Sequence, residues 1–159
     1  MQINWLAVFG AALVPLVVGM IWYNKNVFGT VWMKAAGVDP EQAKKSNMWI
    51  IFGTTILMSV MLAMMVPSIV IHQFHVGSVF QGDDSMKGFI EDFLTKYGSR
   101  FRSFKHGALH GTIAGVFMAL PVLTINSLFE GKSFKYVAIN AGYWIVCLAI
   151  MGGIVGQFA

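Results

Sequence analysis

The stretch NMWIIFGTTILMSVMLAMMVPSIVI, residues 47–71, decides the fold of this protein. It contains no Asp, Glu, Lys or Arg, and about 20 helical residues suffice to cross about 30 Å of hydrocarbon. Three further apolar stretches, about residues 3–22, 106–128 and 134–158, are long enough to do the same, and among them only Lys135 is charged. Because lipid offers the backbone no hydrogen-bond partner, such segments cross as helices. The sequence predicts an all-α integral membrane protein, a single domain over residues 1–159 with four transmembrane helices.

The composition supports a membrane location and argues against a nucleic-acid partner. Only 11% of the residues are charged, against about 25% in soluble domains. The net charge of +4 is expected to lie on flanks that meet anionic head groups, and no compact basic and aromatic patch suits nucleic acid. The single cysteine, Cys147, excludes an intramolecular disulfide. The expected partners are membrane lipid and other membrane protein subunits or further copies of this chain.

Two connections between the apolar stretches show helical spacing of their own. In the first connection, apolar residues recur at helical spacing and predict a short helix on the membrane surface; they are Val27, Phe28, Val31 and Trp32. In the second, Asp83, Asp84 and Ser85 are candidate N-caps and Gly98 is a candidate stop for a second amphipathic helix. Its apolar stripe consists of Phe89, Ile90, Phe93, Leu94 and Tyr97. Pro15, Pro67 and Pro121 are expected to bend the first three spans.

The stretch GMIWYNKNVFGTVWMKAAG, residues 19–37, carries a pattern of aromatic residues and glycines. The pattern G-x-x-W-Y-x-x-x-x-F-G-x-x-W resembles the signature of a bacterial four-span membrane protein family catalogued as domain of unknown function 1761. The matching residues are Gly19, Trp22, Tyr23, Phe28, Gly29 and Trp32. Family members often have proline where this chain has Lys25. The resemblance implies four spans in a bacterial cytoplasmic (inner) membrane, and it brings no activity, substrate or cofactor.

Taken from the residues alone, the same aromatic stretch predicts an anchor in the head-group layer. Trp22, Tyr23 and Trp32 have amphipathic rings of the kind that lie at that depth. A ligand groove beneath an aromatic lid is the alternative. The orientation is inferred from the basic residues: the first and third connections, together with Lys135 at the start of the fourth span, hold six lysines, and the second connection holds five Lys or Arg. With Lys25 directly after the first span, the positive-inside rule favours both termini outside.

All four histidines are expected on one side of the membrane. His72 and His75 follow the second span, and His106 and His110 begin the third. Spacings of three and four place each pair on one helix face. If the two helices are neighbours, the imidazoles converge, and imidazole binds zinc, copper, nickel and haem iron. A transition metal or haem is therefore a candidate cofactor, and ordinary interfacial histidines are the alternative.

Glycines at a spacing of four indicate close helix packing. Gly107, Gly111 and Gly115 lie on one face of the third span, and Gly152 and Gly156 lie on one face of the fourth. Small residues at this spacing let two backbones approach, within one chain or between chains. Among the few polar residues in the spans, Asn140 can bond across helices.

Three functions remain open at the level of sequence. The leading hypothesis is a non-enzymatic subunit or stabilising component of an inner-membrane complex, or a small homo-oligomer, because no catalytic group of residues is recognisable. The second is a metal- or haem-binding membrane protein that uses the four histidines. The third is a carrier of a small solute or lipid, in which bent helices enclose a pocket.

Overall fold

The computed structural model describes residues 3–39, 41 and 44–158, and the regular structure of these residues is entirely helical. Four helices are long and apolar enough to cross a membrane. They are span 1 (Trp5–Trp22), span 2 (Met48–Val70), span 3 (Phe104–Phe129) and span 4 (Phe134–Phe158). The predicted all-α fold with four candidate membrane spans is confirmed, and these helices make the chain a multi-pass membrane protein.

Spans 1 and 3 are interrupted just before a proline, which removes a backbone donor, whereas span 2 continues through its proline. Span 1 breaks at Ala12–Leu13, just before Pro15, and span 3 contains a wide π-helical turn just before Pro121. Pro67 lies inside span 2, which ends three residues later at Val70. A proline lacks the N–H that an α-helix needs, so the backbone yields in the turn beside it. The helical segments are Trp5–Ala11, Val14–Trp22, Lys25–Gly29 (π), Thr30–Ala36, Met48–Val70, His72–Val79, Asp84–Met86 (3₁₀), Lys87–Tyr97, Phe104–Ala114, Gly115–Ala119 (π), Leu120–Phe129 and Phe134–Phe158.

Span 4 is the centre of the bundle and packs against the other three spans. Half of its apolar stretch is buried, whereas only 17% of that of span 2 is. The core contains small and medium side chains, among them Ala11, Ala63 and Cys147. Large apolar side chains such as Trp49 and Phe117 point outward, at 88% and 74% exposure. This outer surface suits hydrocarbon as the solvent.

Spans 3 and 4 touch through their backbones. A Cβ built on Gly107 would overlap the carbonyl oxygen of Gly152, and a Cβ on Gly111 would overlap that of Leu148. A Cβ on Gly115 would lie 2.7 Å from the Cα of Ile145, and one on Gly156 would lie 2.9 Å from the Cα of Gly107. The glycines of both spans therefore face each other within one chain.

The turn between spans 3 and 4 is short and closed by hydrogen bonds. Gly131 adopts a left-handed conformation with φ of 65°, which glycine takes without steric cost. The N–H of Lys132 donates to the carbonyl of Ser127 at 2.8 Å. The Lys132 ammonium donates to the carbonyl of Ala36 at 2.7 Å, which ties this turn to the first connection. The two connections therefore lie on the same side of the bundle, as alternating spans require.

Both predicted connecting helices are present. The first connecting helix is Thr30–Ala36, preceded by the π-helical turn Lys25–Gly29 and ended by Gly37 at φ 70°. The second connecting helix is Lys87–Tyr97, followed by Gly98. The Asp83 carboxylate accepts from the N–H of Ser85 and caps the 3₁₀ turn that leads into it. The amphipathic pattern and the cap residue together account for this segment.

Candidate functional site

A break at the end of span 2 places His72. The N–H of Ile71 closes span 2 on the carbonyl of Pro67, and Ile71 itself is extended, with φ −109° and ψ 99°. The short helix His72–Val79 then starts in a new direction. The Ile71 side chain is 1% exposed, so the break is anchored in the core. His72 follows the buried anchor directly and lies exposed at the edge of the bundle.

The start of span 3 places the second pair of histidines. Ser103 caps this helix, because its hydroxyl accepts from the N–H of His106 at 3.3 Å. His106 and His110 are one turn apart and therefore share a face. Each precedes a glycine, Gly107 or Gly111, whose backbone lies against span 4. The close backbone contact fixes the rotation of span 3 and with it the direction of both imidazoles.

Three of the four histidines converge. His106 Nε2 lies 2.9 Å from His72 Nε2 and 3.1 Å from His110 Nε2. The ring centroids are 4.6–5.1 Å apart, farther than the nitrogens. In the pairs that His106 forms with His72 and with His110, the two nitrogens therefore lie closer together than the two ring centres. Among the described residues, this trio is the group of metal-binding side chains whose ligand atoms all lie within 4.8 Å of one another.

Hydrogen bonds among the three imidazoles cannot satisfy all of their converging nitrogen atoms. A neutral imidazole nitrogen carries either one N–H or one lone pair. His106 Nε2 is within hydrogen-bond distance of two other nitrogens, yet it can make one full hydrogen bond. A cation that accepts a lone pair from each ring satisfies all three nitrogens at once.

The distances also fit a metal ion quantitatively. Zinc–imidazole bonds are about 2.0–2.1 Å long. An ion at that distance from nitrogens 2.9 and 3.1 Å apart would subtend N–metal–N angles of about 90° and 100°. These angles lie between octahedral and tetrahedral values. The nitrogens of His72 and His110 therefore each lie at a spacing from His106 Nε2 that one ion can bridge.

His75 lies outside this group. Its Nε2 is 2.7 Å from the carbonyl oxygen of Ser68, so the ring closes back on the end of span 2. The acids of the same connection are also engaged elsewhere: Asp83 accepts from Ser85, and Asp84 pairs with Lys87 at 2.8 Å. The structure thus brings together His72, His106 and His110 of the four predicted ligands.

The residue that covers the site, Phe101, has no signal in the sequence. Its ring stacks on His106 at 4.9 Å and meets His72 edge-on at 6.0 Å. Phe101 has φ of 64°, and the left-handed conformation costs a bulky residue about 1–2 kcal/mol. Among the described residues, it is the one non-glycine residue with positive φ. Strained backbone of this kind clusters at functional sites.

The aromatic stretch of residues 19–37 docks on span 4. Trp22 Nε1 donates to the carbonyl of Ile139 at 3.1 Å. Tyr23 Oη and Trp32 Nε1 both donate to Asn140 Oδ1, at 2.9 and 3.2 Å. Burial raises the pKa of Tyr23 above its usual value. The polar atoms of these rings are therefore satisfied within the protein, and their role as anchors in the head-group layer stays a prediction.

The remaining residues of the stretch support this docking. The Phe28 ring packs on Trp22 with centroids 4.7 Å apart. Gly29 lies against the backbone of Tyr23, where a Cβ would overlap the carbonyl oxygen. Gly19 lies beside Tyr143, whose hydroxyl donates to the carbonyl of Pro15 at 2.8 Å. The stretch thus fixes the first connection to the central span, on the side of the bundle opposite to the histidines.

Comparison with known proteins gives a family and no described relative. No curated protein and no solved structure gives a significant match. The model of a family described as a protein of unknown function, DUF1761, matches residues 6–156. The match covers all four spans and includes the aromatic stretch and the converging histidines. The chain therefore belongs to the DUF1761 family of membrane proteins.

Proposed function

We propose that this protein binds a transition-metal ion at the edge of the membrane through His72, His106 and His110. The convergence of three imidazole nitrogens from two separate helices carries this proposal. Histidines that merely lie at the interface have no reason to bring three ligand atoms within 4.8 Å of one another. The close contact of spans 3 and 4 and the buried Ile71 hold these rings in place before any ion binds.

The donor set selects the class of metal. Three imidazoles without a carboxylate suit Zn²⁺, Cu²⁺, Ni²⁺ or Co²⁺ rather than Mg²⁺ or Ca²⁺, which prefer oxygen. Haem fits less well, because its two axial ligands stand on opposite sides of the iron, whereas these nitrogens are adjacent. Open positions on the ion would let it exchange or take a small ligand. We infer binding rather than catalysis, so the protein is not an enzyme in this proposal.

The site has a defined side of the membrane relative to the termini. An even number of spans places both ends of the chain and the second connection on one side. The N–H of Phe104 donates to Gln157 Oε1 at 3.0 Å, which supports this arrangement. With both termini outside a bacterial cytoplasmic membrane, the ion would be held on the outer face. Labelling of single cysteines at exposed Lys87 and Lys34 by an impermeant maleimide in intact cells tests the orientation: the proposal expects labelling at Lys87 alone.

Metal content measured on purified protein tests the proposed function. The chain in mild detergent, exposed to Zn²⁺, Cu²⁺ or Ni²⁺ and then desalted, should retain about one equivalent. His106→Ala should abolish retention, because His106 contacts both other rings. His75→Ala is the matched control and should retain the ion, because His75 bonds to Ser68 instead. Retention that is equal in all three proteins, or absent in the wild type, would overturn the proposal.

A role as a subunit of a complex or as a homo-oligomer remains a second proposal, and a different surface now supports it. The packing glycines, which the sequence allowed to serve either within one chain or between chains, are used between spans 3 and 4. The second connecting helix is now the candidate surface, because its Phe89 remains 50% exposed beside Phe80 and Phe93. A partner or the bilayer surface would cover this side chain. A strictly monomeric particle that co-purifies with no other protein would count against a subunit role.

The role of a carrier has one supporting observation. An apolar groove of about 580 Å³ lies between spans 2, 3 and 4, bordered by Met65, Met118 and Trp144. In a membrane this groove would open to hydrocarbon. It is large enough for part of a lipid chain, and its lining offers Ser68 as a polar group. Lipid exchange between vesicles that is unchanged by Met118→Trp would remove this alternative.

A further inference from the structure

A groove of about 290 Å³ begins at His72 and continues along the end of the second connecting helix. Its walls are mostly apolar, from Val76, Phe93 and Tyr97. Its polar side chains besides His72 are Gln73 and Arg100. None of the described side chains that line it is acidic. The groove therefore adjoins the proposed metal ion and carries only positive charge.

Gln73, which lines this groove, has an acceptor that is not used within the described part of the chain. The side chain is 5% exposed, and its Nε2 donates to the carbonyls of Tyr97 and Arg100 at 2.8 and 2.7 Å. These two bonds fix the carboxamide. The remaining oxygen, Oε1, is buried and has no hydrogen-bond partner among the described residues. Buried acceptors are normally paired, so Oε1 calls for a donor from a bound molecule.

Arg100 supplies the charge. Its guanidinium lies over the ring of Phe101 at 5.0 Å and that of Tyr97 at 6.0 Å, and the side chain is exposed. Phe101 in turn stacks on His106. The guanidinium is thus held at the groove by the same ring that covers the metal site. A planar guanidinium with its donors free for an oxyanion is the usual protein partner of phosphate and carboxylate.

We propose that this groove binds a protonated phosphate group, either inorganic phosphate or a phosphate monoester at the head of a lipid. Anionic oxygens would pair with Arg100 and take an open position on the metal ion, and the P–O–H would donate to Gln73 Oε1. Inorganic phosphate carries at least one proton near neutral pH, and a phosphate monoester is partly protonated there because its second pKa is about 6. Sulfate and ionised carboxylates have no proton to donate. This inference rests on the proposed metal site, which shares His72.

Phosphate and sulfate titrations of the same protein test the inference. Calorimetry at pH 6.5 on nickel-loaded protein in detergent would compare inorganic phosphate with sulfate, which has the same shape. We expect phosphate to bind about tenfold or more tightly, because one hydrogen bond to a buried acceptor distinguishes the two ions. Arg100→Gln should weaken phosphate binding by about tenfold or more. Lys96→Gln is the matched control, since Lys96 also lies over Tyr97 but does not line the groove.

Lipid competition distinguishes a lipid head group from free phosphate, and metal retention distinguishes a failure of this inference from a failure of the proposed function. Nanodiscs with phosphatidic acid should compete with inorganic phosphate if a lipid head group is the ligand, whereas phosphatidylcholine should not compete; competition by neither lipid identifies free phosphate. Sulfate binding as tight as phosphate binding, or phosphate binding unchanged by Arg100→Gln, would overturn the phosphate inference. If that protein still retains metal, the proposed metal-binding function stands. Phosphate binding that depends on Arg100 in a protein that retains no metal would overturn the proposed function and support the groove.

Discussion

Replacing Asn140 with leucine should destabilise the protein by about 2 kcal/mol. Asn140 Oδ1 accepts hydrogen bonds from Tyr23 Oη at 2.9 Å and from Trp32 Nε1 at 3.2 Å. Leucine keeps the side-chain volume but leaves both donors without an acceptor. Each neutral hydrogen bond contributes about 0.5–1.5 kcal/mol net, and the mean in a membrane protein is near the lower value, about 0.6 kcal/mol. The orphaned donors on half-buried rings add to the two lost bonds.

The change is measured by unfolding detergent-solubilised protein with dodecyl sulfate and following helical circular dichroism. Tyr23→Phe alone should cost about 1 kcal/mol. The double variant with Asn140→Leu should be no less stable than Asn140→Leu alone, because the bond is already lost. Tyr136→Phe is the control, since Tyr136 contributes only its backbone carbonyl to Asn140. Asn140→Leu within about 0.5 kcal/mol of the wild type, or full additivity of the two changes, would refute the docking role of the aromatic stretch.

Three further changes test the packing of the bundle. Gly111→Ala should cost about 3 kcal/mol or more in the same unfolding assay, because its Cβ would overlap the backbone of span 4; Gly53→Ala, with nothing within 4 Å of its Cβ, should cost nothing, and equal effects would contradict the contact. Asn47→Ala should cost about 1 kcal/mol by removing the N-cap of span 2, and no change would show that this end is frayed. Lys132→Met should raise the rate of proteolysis of the first connection by removing the bond to the Ala36 carbonyl. An unchanged cleavage rate would show that this bond does not hold the connection.

The spans could be predicted because hydrocarbon imposes a simple rule on sequence. A charge-free stretch such as residues 47–71 has one structural solution in lipid, and its observed bounds, Met48–Val70, agree closely. The connecting helices were predictable for a similar reason, because amphipathic spacing and the cap at Asp83 are local signals. Local pattern thus determined the elements and their order.

The parts that sequence did not reveal depend on contacts between distant residues. The pairing of Tyr23 with Asn140 spans 117 positions, and helical spacing gives no partner for either. The same limit applies to the histidines: spacing predicts that His106 and His110 share a face, but the break at Ile71 decides that His72 joins them and His75 does not. Phe101 enters the site through a left-handed backbone that no pattern in its neighbours signals.

X-ray absorption at the metal edge tests the central claim most directly, because it counts the imidazoles on the ion. Protein loaded with one equivalent of Zn²⁺ or Cu²⁺ should show three imidazoles at about 2.0–2.1 Å, and oxygen ligands should complete the coordination. His110→Ala should reduce the count to two and leave the first-neighbour distance unchanged, and His75→Ala should leave the count at three. A wild-type spectrum with one imidazole or none, or a count that falls in His75→Ala, would contradict the site formed by His72, His106 and His110.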